Sequence, residues 1–160
     1  MEEQLIPYFA AEKQEALLFL LVGAAAVTVS IWLLMTGSAY KGMAYPLLAV
    51  AGIQFVVGST VYFRTDSQVT ALQARFQQAP AEFKTEETQR MGVVVKNFKI
   101  YKWIEIALLA TGIALAFALR NHDLMYAVGI GLIIQSSLML VLDLFAEKRA
   151  DEYLRFITAL

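Results

Sequence analysis

Four stretches of this chain are apolar almost without interruption, and the polar positions crowd between them. Ala16 to Met35 and Met43 to Phe63 carry no charge. Trp103 to Leu119 carries only Glu105, and Leu124 to Leu142 carries none before Asp143 follows. At about 1.5 Å of rise per residue, each run can cross a hydrocarbon core of about 30 Å as a helix with modest adjustment. Lipid enforces the helix, because no water is there to satisfy an open backbone. The predicted spans are about 16–36, 43–63, 103–120 and 124–143.

The polar segments have a helical pattern of their own. Between Arg64 and Lys99, Pro80 separates two stripes. Val69, Leu72 and Phe76 precede it, and Met91, Val94, Val95 and Phe98 follow it, all at helical spacing. Helix 2 is thus predicted to run to about Gln77, and helix 3 to start within Ala81–Glu87. Leu5, Phe9 and Ala16 extend helix 1 backwards, with Pro7 suited to a first turn. Ala146, Ala150, Tyr153, Leu154 and Ile157 extend helix 4. The predicted fold is all-α, a polytopic membrane protein with one domain over 1–160. Its four long antiparallel helices have a transmembrane half and a cytosolic half, the latter formed by extensions 4–15, 64–102 and 144–158. The alternative is amphipathic ends lying on the inner leaflet. Outer faces of mixed charge, rather than Lys/Arg-rich ones, favour the bundle.

Two pairs of segments share a layout. Tyr45 to Gln54 and Tyr126 to Gln135 each place a Tyr at a helix start and a Gln nine residues on. The stretches beginning at Glu15 and Glu105 are similarly alike. A duplicated αα-hairpin, its copies related by an axis along the membrane normal, would explain both.

Composition agrees with a membrane protein. The chain is 59% apolar and 17% charged, against about 45–50% and about 25% in soluble domains. A net charge of −1 offers no basic surface to phosphates, so no nucleic-acid partner is expected. There is no cysteine, and His122 is the only histidine, so no metal site or cofactor is expected. No nucleophile, phosphate-loop or zinc-protease motif appears, so no catalytic residue and no enzyme activity is assigned. The acidic start Met1-Glu2-Glu3 argues against a cleaved signal peptide. Of the thirteen Lys and Arg, only Lys41 and Arg120 fall on the side of the short loops. The positive-inside rule then places both termini and the middle segment in the cytoplasm.

Few residues are candidates for chemistry. Gln54 and Gln135 lie mid-span, where an amide must find a partner. Interhelical bonding is the plainer reading, and a polar transport path the functional one. Glu105 and Asp143 are the acids that border the membrane core, and intramembrane carboxyls are candidates for proton or cation coupling. Lys102 near Glu105, and Lys148 and Arg149 after Asp143, favour interfacial ion pairs instead. The run Glu147 to Glu152 reads as a solvated helix face, and His122 as a solvated loop residue.

Tyr40-Lys-Gly-Met-Ala, Val61-Tyr-Phe-Arg-Thr-Asp-Ser-Gln-Val69, Lys96 to Ile106 and Ser137 to Arg149 resemble a family of small uncharacterised four-span bacterial membrane proteins. The likeness covers most of the chain and implies the bacterial inner membrane, but carries no functional residue. In size and architecture the chain also resembles inner-membrane immunity proteins that neutralise toxins passed between bacteria. The favoured expectation is an interaction protein without catalytic activity, embedded in membrane lipid and binding a toxin or a membrane complex. The other is a small homo-oligomeric transporter or channel using Gln54, Gln135, Glu105 and Asp143.

Overall fold

A computed structural model describes residues 2–160, with side chains from Leu5 onward. Four helices account for nearly all of it: α1 (Glu2–Met35), α2 (Ala44–Gln78), α3 (Pro80–Ala118) and α4 (Asp123–Ala159). All four are long and apolar enough to cross a membrane. No strand occurs among the described residues.

The turns explain the up-and-down order. After α1, Gly37 takes a positive φ of 62°, which suits a residue without a side chain, and Lys41–Met43 make a single 3₁₀ turn into α2. Between α2 and α3 only Ala79 is non-helical. It precedes Pro80, and the proline ring drives its neighbour out of the helical region, here to φ −147° and ψ 76°. Pro80 then opens α3, where its missing N–H costs nothing. At the last turn, His122 is extended just before α4. The helix boundaries at the middle turn lie within a few residues of those expected from Pro80. α1 begins earlier than Pro7 suggests, at Glu2. Leu5 and Phe9 are buried in the core, and that packing outweighs the hydrogen bond lost at Pro7.

Both termini and the Pro80 turn lie at one end of the bundle, called here the polar half; the short loops lie at the other, the apolar half. The polar half has the larger core. Leu5 and Phe9 of α1, Phe83, Met91 and Val95 of α3, and Ala150, Tyr153 and Ile157 of α4 form one cluster. Val69, Leu72 and Phe76 of α2 pack against it, so the apolar stripes of all four extensions close on each other. In the apolar half the large side chains turn outward. Trp32, Ile53, Val56, Trp103 and Phe117 are all more than half exposed.

One series of buried positions on each of two helices recurs every seven residues: Gly129, Ser136, Asp143, Ala150 and Ile157 on α4, and Ala44, Ala51, Gly58 and Thr65 on α2. A seven-residue repeat keeps one face of a helix turned to its neighbours over its whole length. Within each hairpin, α1 with α2 and α3 with α4, the seams are extensive; between hairpins the contacts are sparser.

Candidate functional site

Where the polar and apolar halves meet, the two hairpins part and leave a cleft of about 620 Å³ lined by all four helices. Its walls are largely apolar, with Phe19, Val57, Leu108 and Met139 among them. Ile53 and Val57 of α2 and Ile104 and Leu108 of α3 line it yet are exposed. The cleft therefore opens sideways between α2 and α3.

Glu105 and Asp143 line this cleft. They are 6% and 8% exposed and stand on facing helices. Glu105 Oε2 is buried without any partner. The ion pairs expected for these acids do not form. Lys102 instead reaches across to Glu147 at 2.5 Å, and Arg149 pairs with Glu15 on α1. Helix geometry decides this. Glu105 and Asp143 occupy the inward face, whereas Lys102 and Arg149 are set at the seams, where long side chains span to the next helix. The run 147–152 is accordingly no simple solvated face: Glu147 and Arg149 tie α4 to α3 and α1, and Ala150 is fully buried.

Other charges stand around the cleft. Glu12 and Glu15 enter from α1 and Arg64 from α2. Arg64 is 3.9 Å from Glu12, a loose pair, and Glu12 Oε2 is buried without a partner. Burial pushes the Glu12 carboxyl above its ordinary range, against the pull of Arg64. Burial likewise pushes Glu15 up to about 7, with Arg149 opposing and the charge of Asp143 adding.

Gln54 and Gln135 lie deeper in the apolar half and meet each other. Gln135 Nε2 donates to Gln54 Oε1 at 3.0 Å, and Gln54 Nε2 contacts Met139 Sδ at 3.2 Å. Both are essentially unexposed. Their bond links α2 to α4, and glycine contacts close the bundle beyond it. Cβ positions at Gly131 would lie 2.7 Å from Pro46, and at Gly129 2.7 Å from the Gly112 carbonyl.

A second polar cluster, in the polar half, went unmarked in the sequence. Glu87 is 2% exposed. Arg90 Nε and Nη2 each donate to it at 2.6 Å, and the Tyr153 hydroxyl donates at 3.3 Å. Tyr8 stacks on Tyr153 with ring centroids 4.3 Å apart. Burial, reinforced by nearby carboxylates, pushes both phenols well up. The cluster is satisfied and holds α1, α3 and α4 together. Glu87 lies four residues before Met91 on the apolar stripe, which is the signal that could have found it. His122 is exposed at its turn. Among the described residues, no three His, Asp or Glu side chains gather as a metal site.

Comparison with protein-family models, curated proteins and solved structures finds no match to this chain. The functional reading accordingly rests on the residues themselves.

Proposed function

We propose that this is a four-span protein of the bacterial cytoplasmic membrane that binds a ligand in the lateral cleft between its two hairpins. The apolar half would sit in the bilayer. The polar half, with both termini and the Pro80 turn, would project into the cytoplasm, as the Lys/Arg bias directs. The cleft then falls at the level of the inner leaflet.

One observation carries the reading: a largely apolar cleft of about 620 Å³ with two buried acids in its wall. Sites for small molecules are typically apolar hollows of about 300–1,000 Å³ with a few convergent polar groups. A continuous channel is the weaker reading, because Gln54 and Gln135 bond to each other and the glycines bring helices into close contact in the apolar half. An interaction protein, with toxin neutralisation as its concrete case, would need a recognition face. The exposed apolar residues instead surround all four helices, as lipid contact asks, and distinguish no one face. The hydrogen bond between Gln54 and Gln135 supports the hairpin duplication, since the two residues that the repeat would make equivalent meet each other.

Native mass spectrometry of protein released from mild detergent tests the reading. The expected spectrum shows a bound small molecule or lipid, lost from the cleft-filling variant Ala146→Phe. Bare protein in both spectra would overturn it. A stoichiometric foreign protein, unaffected by Ala146→Phe, would overturn it in favour of the interaction protein.

A further inference from the structure

We infer that the ligand of the cleft is an organic cation with an apolar body, taken up by Glu105 and Asp143 in exchange for a proton. The inference rests on the cleft being a binding site and adds its chemistry.

Charge complementarity is the first argument. Every acid around the cleft except these two has a cation of the protein nearby. Glu15 has Arg149, Glu147 has Lys102, and Glu12 has Arg64 at 3.9 Å. Among the described residues, Glu105 and Asp143 have no cation within ion-pair distance. A buried carboxylate without a countercharge is unstable, so the pair holds a proton until a cation replaces it. One positive charge enters and one proton leaves, and the net charge of the site does not change.

The second argument is the unpartnered atom. Glu105 Oε2 is buried, lines the cleft and has no hydrogen-bond partner. A native protein seldom leaves such an atom unpaired, because its desolvation is uncompensated. A cationic centre in the cleft supplies the missing interaction.

The lining of the cleft selects an organic cation over a bare metal ion. The cleft is far larger than an ion, and no three acids gather at metal-binding spacing among the described residues. Phe19, Phe98 and Tyr101 line it and offer apolar contact and aromatic faces, which attract cations. The sideways mouth between α2 and α3 admits an amphipathic molecule from the bilayer. A lipid amine headgroup and a free amphipathic cation share this chemistry.

Tetraphenylphosphonium is the probe, titrated calorimetrically into the full chain in nanodiscs of phosphatidylglycerol. Binding is expected, with up to about one proton released per cation and an affinity that tightens by up to about tenfold per pH unit as pH rises. Glu105→Gln and Asp143→Asn should each weaken binding at least about tenfold and remove the proton release. Both changes keep side-chain shape, and a native-like helical spectrum verifies folding. Adding phosphatidylethanolamine to the discs separates the sources. A drop in probe affinity identifies a lipid amine as the occupant; an unchanged affinity identifies a free cation. Proton release lost in Glu15→Gln but retained in Glu105→Gln would overturn the assignment. So would failure of the probe to bind at all, or binding equal in wild type and both variants. If native mass spectra meanwhile show a neutral or anionic ligand, displaced by Ala146→Phe alone, the cleft stands and the cation fails. If no ligand appears and cleft filling changes nothing, both fail.

Discussion

Gly112 and Gly129 sit against each other where α3 meets α4, and their difference from Gly92 is one of surroundings. A methyl at position 129 would lie 2.7 Å from the Gly112 carbonyl oxygen and 2.8 Å from the Ala116 nitrogen. Those are backbone atoms that cannot swing aside, so the helices must separate. At Gly92 a methyl meets nothing within 4 Å. Gly129→Ala is therefore expected to destabilise by about 1–3 kcal/mol. Gly92→Ala should stabilise by about 0.4–1 kcal/mol, by restricting the unfolded chain. Thermal unfolding in detergent should show the two midpoints moving in opposite directions; a shared sign would contradict the seam. Which glycines face a neighbour is not legible in the sequence: Gly52 lies in an apolar run like Gly112 and Gly129, yet it meets open space. The same holds for Gln54 and Gln135: that each needs a partner was legible, but that each partners the other was not.

Glu105 and Asp143 stand at seven-residue positions that bury their helices' other inward residues. Asp143 stands between Ser136 and Ala150 in that series on α4, and Glu105 stands seven residues before Gly112 on α3. Their burial was therefore readable from spacing. Neighbouring lysines and arginines suggested otherwise, and proximity in sequence misled because those residues point along the seams. The link between α1 and α4 gives the prediction at this scale. Glu15 titrates near 4.5 when unfolded and is pushed up to about 7 in the fold, chiefly by burial. Between these values the folded chain binds more protons than the unfolded one. Stability from this group is thus fully present below 4.5 and declines as pH rises through about 7. At about 1.4 kcal/mol per pKa unit, the loss is bounded at about 3 kcal/mol. Glu15→Gln should flatten unfolding free energy against pH across this window. An unchanged slope would remove Glu15 from the account and leave Glu12, also raised by burial.

For the whole molecule, orientation and shape work together. With the polar half in the cytoplasm, Ser38 lies outside and Glu82 inside. The chain has no cysteine, so single cysteines can report each side without background. On intact cells, a membrane-impermeant maleimide should label Ser38→Cys and leave Glu82→Cys unlabelled until the membrane is opened. The reverse pattern would invert the topology and move the cleft to the outer leaflet. The sequence by itself determined four long apolar helices, the break at Pro80 and the amphipathic stripes of the extensions. These follow from hydrophobic periodicity and from proline geometry, which act over a few residues. Only the tertiary structure decided that Lys102 serves Glu147 and Arg149 serves Glu15, that Glu105 and Asp143 are buried in the wall of one cleft without a countercharge, and that the hairpins part to form that cleft. Those outcomes depend on which faces of separate helices are brought together, and packing between distant segments sets that choice.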